Sequence, residues 1–146
     1  SILSSAGSLA RDCGNFEKSL VIFKNINDKA PHFRLWFKKD YAWTFLISQY
    51  MEKIDNFDEA KFFINNQLDK QFKEDGINEM WLIMLAYIAS VEGDTDKAKY
   101  YFNKQTKMTN PINVIWSNKY PDILDENPSF RDSFFSELEK LGLKLK

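Results

Sequence analysis

Three short segments of this chain repeat one pattern: Gly14-Asn15-Phe16-Glu17-Lys18-Ser19, Asp55-Asn56-Phe57-Asp58-Glu59-Ala60 and Gly93-Asp94-Thr95-Asp96-Lys97-Ala98. Each is a turn residue, a capping Asn or Asp, a polar stretch and a small residue. An apolar stripe follows each: Leu20, Phe23 and Ile26; Phe63, Ile64 and Leu68; Tyr101 and Phe102. An apolar, helix-like run also precedes each. Self-similarity of this kind marks tandem helical hairpins stacked into an array, which rules out most other folds at once. The interval from Gly14 to Asp55 is slightly longer than that from Asp55 to Gly93. Both exceed the period of the common helix–turn–helix repeat, about 34 residues. These units are therefore longer by about one or two helical turns.

The pattern predicts helices over about Ile2 to Asp12, Phe16 to Asn27, Phe33 to Lys53, Phe57 to Phe72, Asn78 to Val91 and Thr95 to Met108. Asp94 is the expected N-cap of the sixth. Asn110-Pro111 opens a short seventh helix ending near Ser117, and Pro121 breaks the chain after it. The last helix is the clearest. Asn127 is placed to cap it and Pro128 stands at its first position. Phe130, Phe134, Leu138 and Leu141 then fall on one face, and Gly142 closes it. An array needs a terminal element with a polar outer side. This helix fits that role, with its stripe laid over the apolar edge left by helix six.

These residues resemble the tetratricopeptide repeat family. The first unit matches at Gly7, Gly14-Asn15-Phe16, Ser19, Phe23, Ile26 and Pro31. The second matches at Trp43, Ile47, Ser48, Met51, Phe57 and Ala60. The third matches at Trp81, Leu85, Ala86, Ala89, Gly93-Asp94, Ala98, Phe102 and Pro111. The chain departs from the family in three ways. Trp43 and Trp81 each stand one place farther than usual from the small residue of the second helix, Ala60 and Ala98. Ser19 replaces alanine, and Thr95 replaces the aromatic. The tail at Leu124, Pro128, Phe130 and Leu141-Gly142-Leu143 is similar to the closing segment of repeat arrays in some bacterial signalling proteins.

The resemblance implies an all-α, right-handed solenoid of about three helix–turn–helix hairpins plus C-terminal capping helices. Its repeats run approximately over 1–31, 33–73 and 77–110, with a capping region over 111–146, all in a single domain of 1–146. It also implies a concave surface lined from the first helix of each unit. Those places are Ser4, Ser8 and Arg11; Ala42, Phe45, Gln49 and Glu52; and Met80, Ile83, Tyr87 and Ser90. The carboxylate clamp of the family's chaperone-binding members needs Lys, Arg and Asn there, and units two and three carry none. Phe45, Gln49, Met80, Ile83 and Tyr87 are therefore the candidate groove residues, expected to form one partly exposed, mostly apolar patch. Such a patch suits an extended segment or an amphipathic helix held by apolar anchors. The other reading of the same residues is burial against the next repeat or the terminal helix.

Little in the chain points to catalysis. His32 is the single histidine and Cys13 the single cysteine. His32 reads as a loop residue and Cys13 as a small core residue. No intrachain disulfide, His/Cys zinc cluster or phosphate-binding glycine loop can be assembled from this sequence. The carboxylates at Asp55, Asp58 and Glu59 and at Asp94 and Asp96 stand at helix N-termini, where the helix dipole accounts for them. The run Phe33 to Tyr41 mixes basic and aromatic residues. With a net charge of −1 and no second basic stretch, it reads as a helix with one aromatic and one solvated face rather than a nucleic-acid groove. No apolar run approaches membrane-spanning length.

The expectation is thus a non-enzymatic, cytoplasmic protein-interaction or scaffolding module. It needs no cofactor or metal and binds a protein or peptide segment, not nucleic acid or membrane. It reads as the C-terminal part of a larger protein. The alternative is a regulatory or sensor domain of a bacterial signalling enzyme or transcription regulator, binding a peptide or small ligand.

Overall fold

The computed structural model describes residues 2–30, 35–53, 57–70, 77–112, 115 and 121–144. Among them the regular structure is helical and no strand occurs. The helices are α1 (Ile2–Asp12), α2 (Phe16–Lys29), α3 (Leu35–Met51), α4 (Asp58–Asp69), α5 (Ile77–Val91), α6 (Thr95–Thr106), α7 (Pro121–Glu126) and α8 (Pro128–Leu141). None of these is long and apolar enough to cross a membrane. The chain divides into two compact units, Ser1–Ile54 and Asp55–Lys146. In the first, α2 packs against both α1 and α3, and α1 also touches α3. In the second, α5 is the centre: α4, α6 and α8 pack on it, α7 packs on α8, and α8 touches α6.

The hairpins turn through a single glycine. Gly14 has φ +83° and Gly93 has φ +83°, a conformation that suits glycine because it has no Cβ to clash. Gly14 N–H donates to the Arg11 carbonyl and Asn15 N–H to that of Ala10, both at 2.8 Å. Gly93 N–H donates to Ser90 at 3.1 Å and Asp94 N–H to Ala89 at 2.9 Å. Both are Schellman closures, which satisfy the last carbonyls of the outgoing helix. Asn15 and Asp94 then cap the next helix, accepting from the N–H of Lys18 and of Lys97, each at 3.2 Å. One residue therefore closes one helix and opens the next. The loop has no spare length.

The second segment is described only in part. Asp55 and Asn56 lie outside the described residues, and the left-handed residue before them is Lys53, with φ 55°. Its N–H donates to the Tyr50 carbonyl at 3.2 Å, the same bond that Gly14 and Gly93 make. A side chain in that region costs about 1–2 kcal/mol, partly offset by the entropy that a glycine would lose. Lys53→Gly is expected to stabilise the protein by about 0.5–1 kcal/mol. A higher urea midpoint with an unchanged m-value would check it.

Small residues recur at matched places in the hairpin helices. Gly7 and Ser19 are buried, and the Ser19 hydroxyl donates to the Gly7 carbonyl at 2.8 Å. A Cβ built on Gly7 would lie 2.5 Å from Cε1 of Phe23. The ring therefore occupies the space that a side chain would need. Ala86 of α5 and Ala98 of α6 are as far apart in the chain as Gly7 and Ser19, and both are buried. Ser48 and Ala60 share the same separation, and each is buried.

The central stretches of α3 and α5 are buried throughout. All residues from Tyr41 to Gln49 of α3 and from Met80 to Ala89 of α5 are buried. A helix apolar all round is one surrounded by protein. Cys13 departs from expectation in the opposite sense. It is exposed, because it lies in the turn beyond the end of α1 and not on the helix face that packs.

The C-terminal region keeps the expected helix and changes its details. Pro128 opens α8 and Gly142 closes it with φ +117°. Asn127 stands at the N-cap but makes no capping bond with its side chain. Its amide instead donates to the Ile123 carbonyl at 2.9 Å and so closes α7. That short helix, begun by Pro121, is absent from the sequence reading, although a proline is at home in a first helical position. Phe130, Phe134 and Leu138 are fully buried, as the stripe predicts. Leu141 is only half-buried, and Leu143 is buried instead. The glycine turns the chain back, and Leu143 N–H donates to the Leu138 carbonyl at 3.0 Å. The helix also covers α5 more than the expected edge at α6. The helix expected from Asn110 to Ser117 lies largely outside the described residues. Its start is present, with the Asn110 side chain accepting from Ile112 N–H at 3.1 Å.

Candidate binding faces

The five candidate groove residues fall in both units. Phe45 and Gln49 are one turn apart on α3, in the first. Met80, Ile83 and Tyr87 share one face of α5, in the second. All five are buried, so the partly exposed patch does not exist in this conformation.

The reason is visible at Tyr87. Its ring meets Phe130 edge-on, with centroids 5.6 Å apart, and meets Phe134 at 5.2 Å. Its hydroxyl lies 3.4 Å from that of Ser133. One turn on, the Ser90 hydroxyl donates to Glu137 at 2.5 Å, and Lys140 holds the same carboxylate at 3.0 Å. Burial pushes the Glu137 carboxyl up, but the bonds from Ser90 and Lys140 prevail and its pKa is lowered. An amphipathic helix with apolar anchors does dock on α5. It is the chain's own α8.

The polar positions of α1 are engaged as well. Ser8 donates to Asp40 of α3 at 3.5 Å, and the Arg11 guanidinium lies 3.4 Å from the same carboxylate. Arg11 also contacts Asp12 at 3.2 Å. Burial raises the Asp40 pKa, and Arg11 and Ser8 only partly reverse the shift. A carboxyl raised on folding stabilises the fold when protonated, and that contribution is lost as pH climbs through its folded pKa. Asp40→Asn is therefore expected to gain stability relative to wild type as pH rises from acid to neutral. Thermal melts of both proteins across that window would check the sign. A difference independent of pH would contradict it.

Near Asp40, Lys38 is buried and its ammonium donates to the Asn27 side chain. On α3 the ring of Tyr41 stacks on Phe45 at 5.0 Å and meets Phe23 of α2 at 6.0 Å. His32 and the start of the basic and aromatic run lie outside the described residues. Asp58 and Glu59 stand in the first turn of α4 and Asp96 in that of α6, as the helix-dipole reading expects. No group of three or more His, Cys, Asp and Glu is placed to hold a metal among the described residues.

What the repeat pattern held, and the groove reading passed over, is the second position after each small residue. Val21, Phe62 and Tyr100 occupy it. They are 63%, 71% and 58% exposed. The signal lies in the alignment of the copies, since each is apolar where a solvated helix face would carry a polar residue. No family model matches the chain, and no curated protein or solved structure matches it.

Proposed function

We propose that this chain is a non-catalytic protein-interaction or scaffolding module, built as a right-handed array of tetratricopeptide-like hairpins. The observation that supports it is the exposed apolar residue at one repeat position of each second helix: Val21, Phe62 and Tyr100. Isolated exposed apolar residues are ordinary. Each copy presents the same exposed apolar position for a partner to cover. Repeat arrays bind through surfaces assembled from equivalent positions in successive units.

The binding surface in this reading is the exposed side of α4 and α6 in the second unit, at Phe62 and Tyr100, with Val21 of α2 the equivalent exposed position in the first. The α5 face is taken by α8. Displacing α8 would expose Phe130, Phe134 and Leu138, at about 1.5–3 kcal/mol each, which few partners could offset.

A photo-crosslinking residue at position 62 or 100 tests the reading in the cell, with position 134 as the buried control. Defined protein adducts at 62 and 100, and none at 134, are expected. No protein adduct at either exposed position would overturn it.

A further inference from the structure

The exposed aromatics of α4 and α6 are framed by opposite charges. Around Phe62 stand Glu59, Asn66 and Asp69, all exposed. The equivalent positions around Tyr100 are Lys97, Lys104 and Lys107, also exposed. Each lysine replaces an acidic or neutral residue of the other copy. In both helices the three positions and the aromatic share one face, because they lie at the same helical offsets from it. The acid at the N-terminal end, Asp58 or Asp96, is common to both.

Among the described residues, most of the charges that frame the two aromatics have no ion-pair partner, Asp58 being an exception. Lys61 of α4 bridges Asp58 at 3.2 Å and Glu92 at 2.9 Å. Lys104 lies over the Tyr100 ring, 5.8 Å from its centroid. No carboxylate pairs with Lys97, Lys104 or Lys107 among the described residues, and no cation pairs with Glu59 or Asp69.

The geometry points to a second copy of this chain as the partner of these faces: α4 of one copy lies on α6 of the other, and the reverse, about a two-fold axis. One chain holds both halves of a complementary pair, each with an aromatic centre and a charged frame. A two-fold interface demands that residue i meets j while j meets i. An acidic face and a basic face on equivalent helices of the same unit meet that demand. The aromatics supply the anchors. The charges set partner choice and encounter rate.

This proposal rests on the interaction-module reading and is tested apart from it, by sedimentation of purified protein over the micromolar range. Wild type is expected to be a dimer that dissociates as salt screens the frame. Two variants carry one sign on both faces. The acidic one is Lys97→Glu with Lys107→Glu; the basic one is Glu59→Lys with Asp69→Lys. Each alone is expected to be monomeric, and an equimolar mixture is expected to dimerise again. The four positions are exposed, and circular dichroism verifies that both variants keep their helices. Should one fail to fold, the salt dependence of wild type decides.

A wild type monomeric throughout, a dimer insensitive to salt, or a mixture that stays monomeric would overturn the pairing. Adducts with a different protein at positions 62 and 100, found with a monomeric wild type, would overturn it while leaving the interaction-module reading standing.

Discussion

Deleting residues 128–146 is expected to unfold the unit formed by Asp55–Lys146. The deletion removes Phe130, Phe134 and Leu138, each fully buried, and uncovers Tyr87 on α5. Each of the three contributes about 1.5–3 kcal/mol of burial, against a total stability of about 5–15 kcal/mol for an ordinary domain. The truncated protein should lose helix signal on mild warming, bind a hydrophobic dye and aggregate. A point variant gives the same answer without deletion. Phe134→Ala should cost about 3–5 kcal/mol, the range for a large aromatic lost from a core. A truncated protein that stays soluble and melts with the wild type would show that α8 is a detachable ligand of α5 and not part of its core.

Gly7→Leu is the second large effect. The first added carbon already falls 2.5 Å from the Phe23 ring, and that ring is buried beside Tyr41, with little freedom to swing away. Overpacking of this kind costs about 1–3 kcal/mol and occasionally more, and here the Ser19–Gly7 hydrogen bond is strained as well. Exposed glycine positions in helices usually improve on replacement, by about 1 kcal/mol for alanine, so the sign of the result is informative. Gly7→Ala combined with Phe23→Leu should recover most of the loss suffered by Gly7→Ala alone. Without such recovery, the close approach of α1 and α2 is not what fixes glycine at this position.

The helices were legible because their signals are local. α1 begins and ends where its pattern predicts, and α6 begins at Thr95 because Asp94 caps it. The turn at Lys53 was not legible. A lysine carries no mark of left-handed backbone. Cys13 misled because its apolar character says nothing about which side of a helix end it faces. The burial of the candidate groove residues has a longer-range cause. Phe45, Met80, Ile83 and Tyr87 look alike whether they meet a partner or the chain's own helices. For α5, only the docking of Phe130 and Phe134 on Tyr87 separates the two. Asp40 was invisible for a similar reason: it acquires its neighbours Ser8 and Arg11 from α1, far back in the chain.

The single-glycine turn has a consequence for how such a chain can change in length. Between Gly7 and Ser19 every residue belongs to a helix or to its closure. One inserted residue there would roll α2 by about 100° about its axis. Ser19 would swing off the Gly7 carbonyl, and Phe23 would leave its place over α1. The separation of Gly7 from Ser19 recurs unchanged between Ser48 and Ala60 and between Ala86 and Ala98. The distance from copy to copy is not kept: Gly14 to Asp55 is longer than Asp55 to Gly93. In the α1–α2 and α5–α6 hairpins, whose helices pack on each other, the chain can exchange one side chain for another but cannot add a residue or lose one.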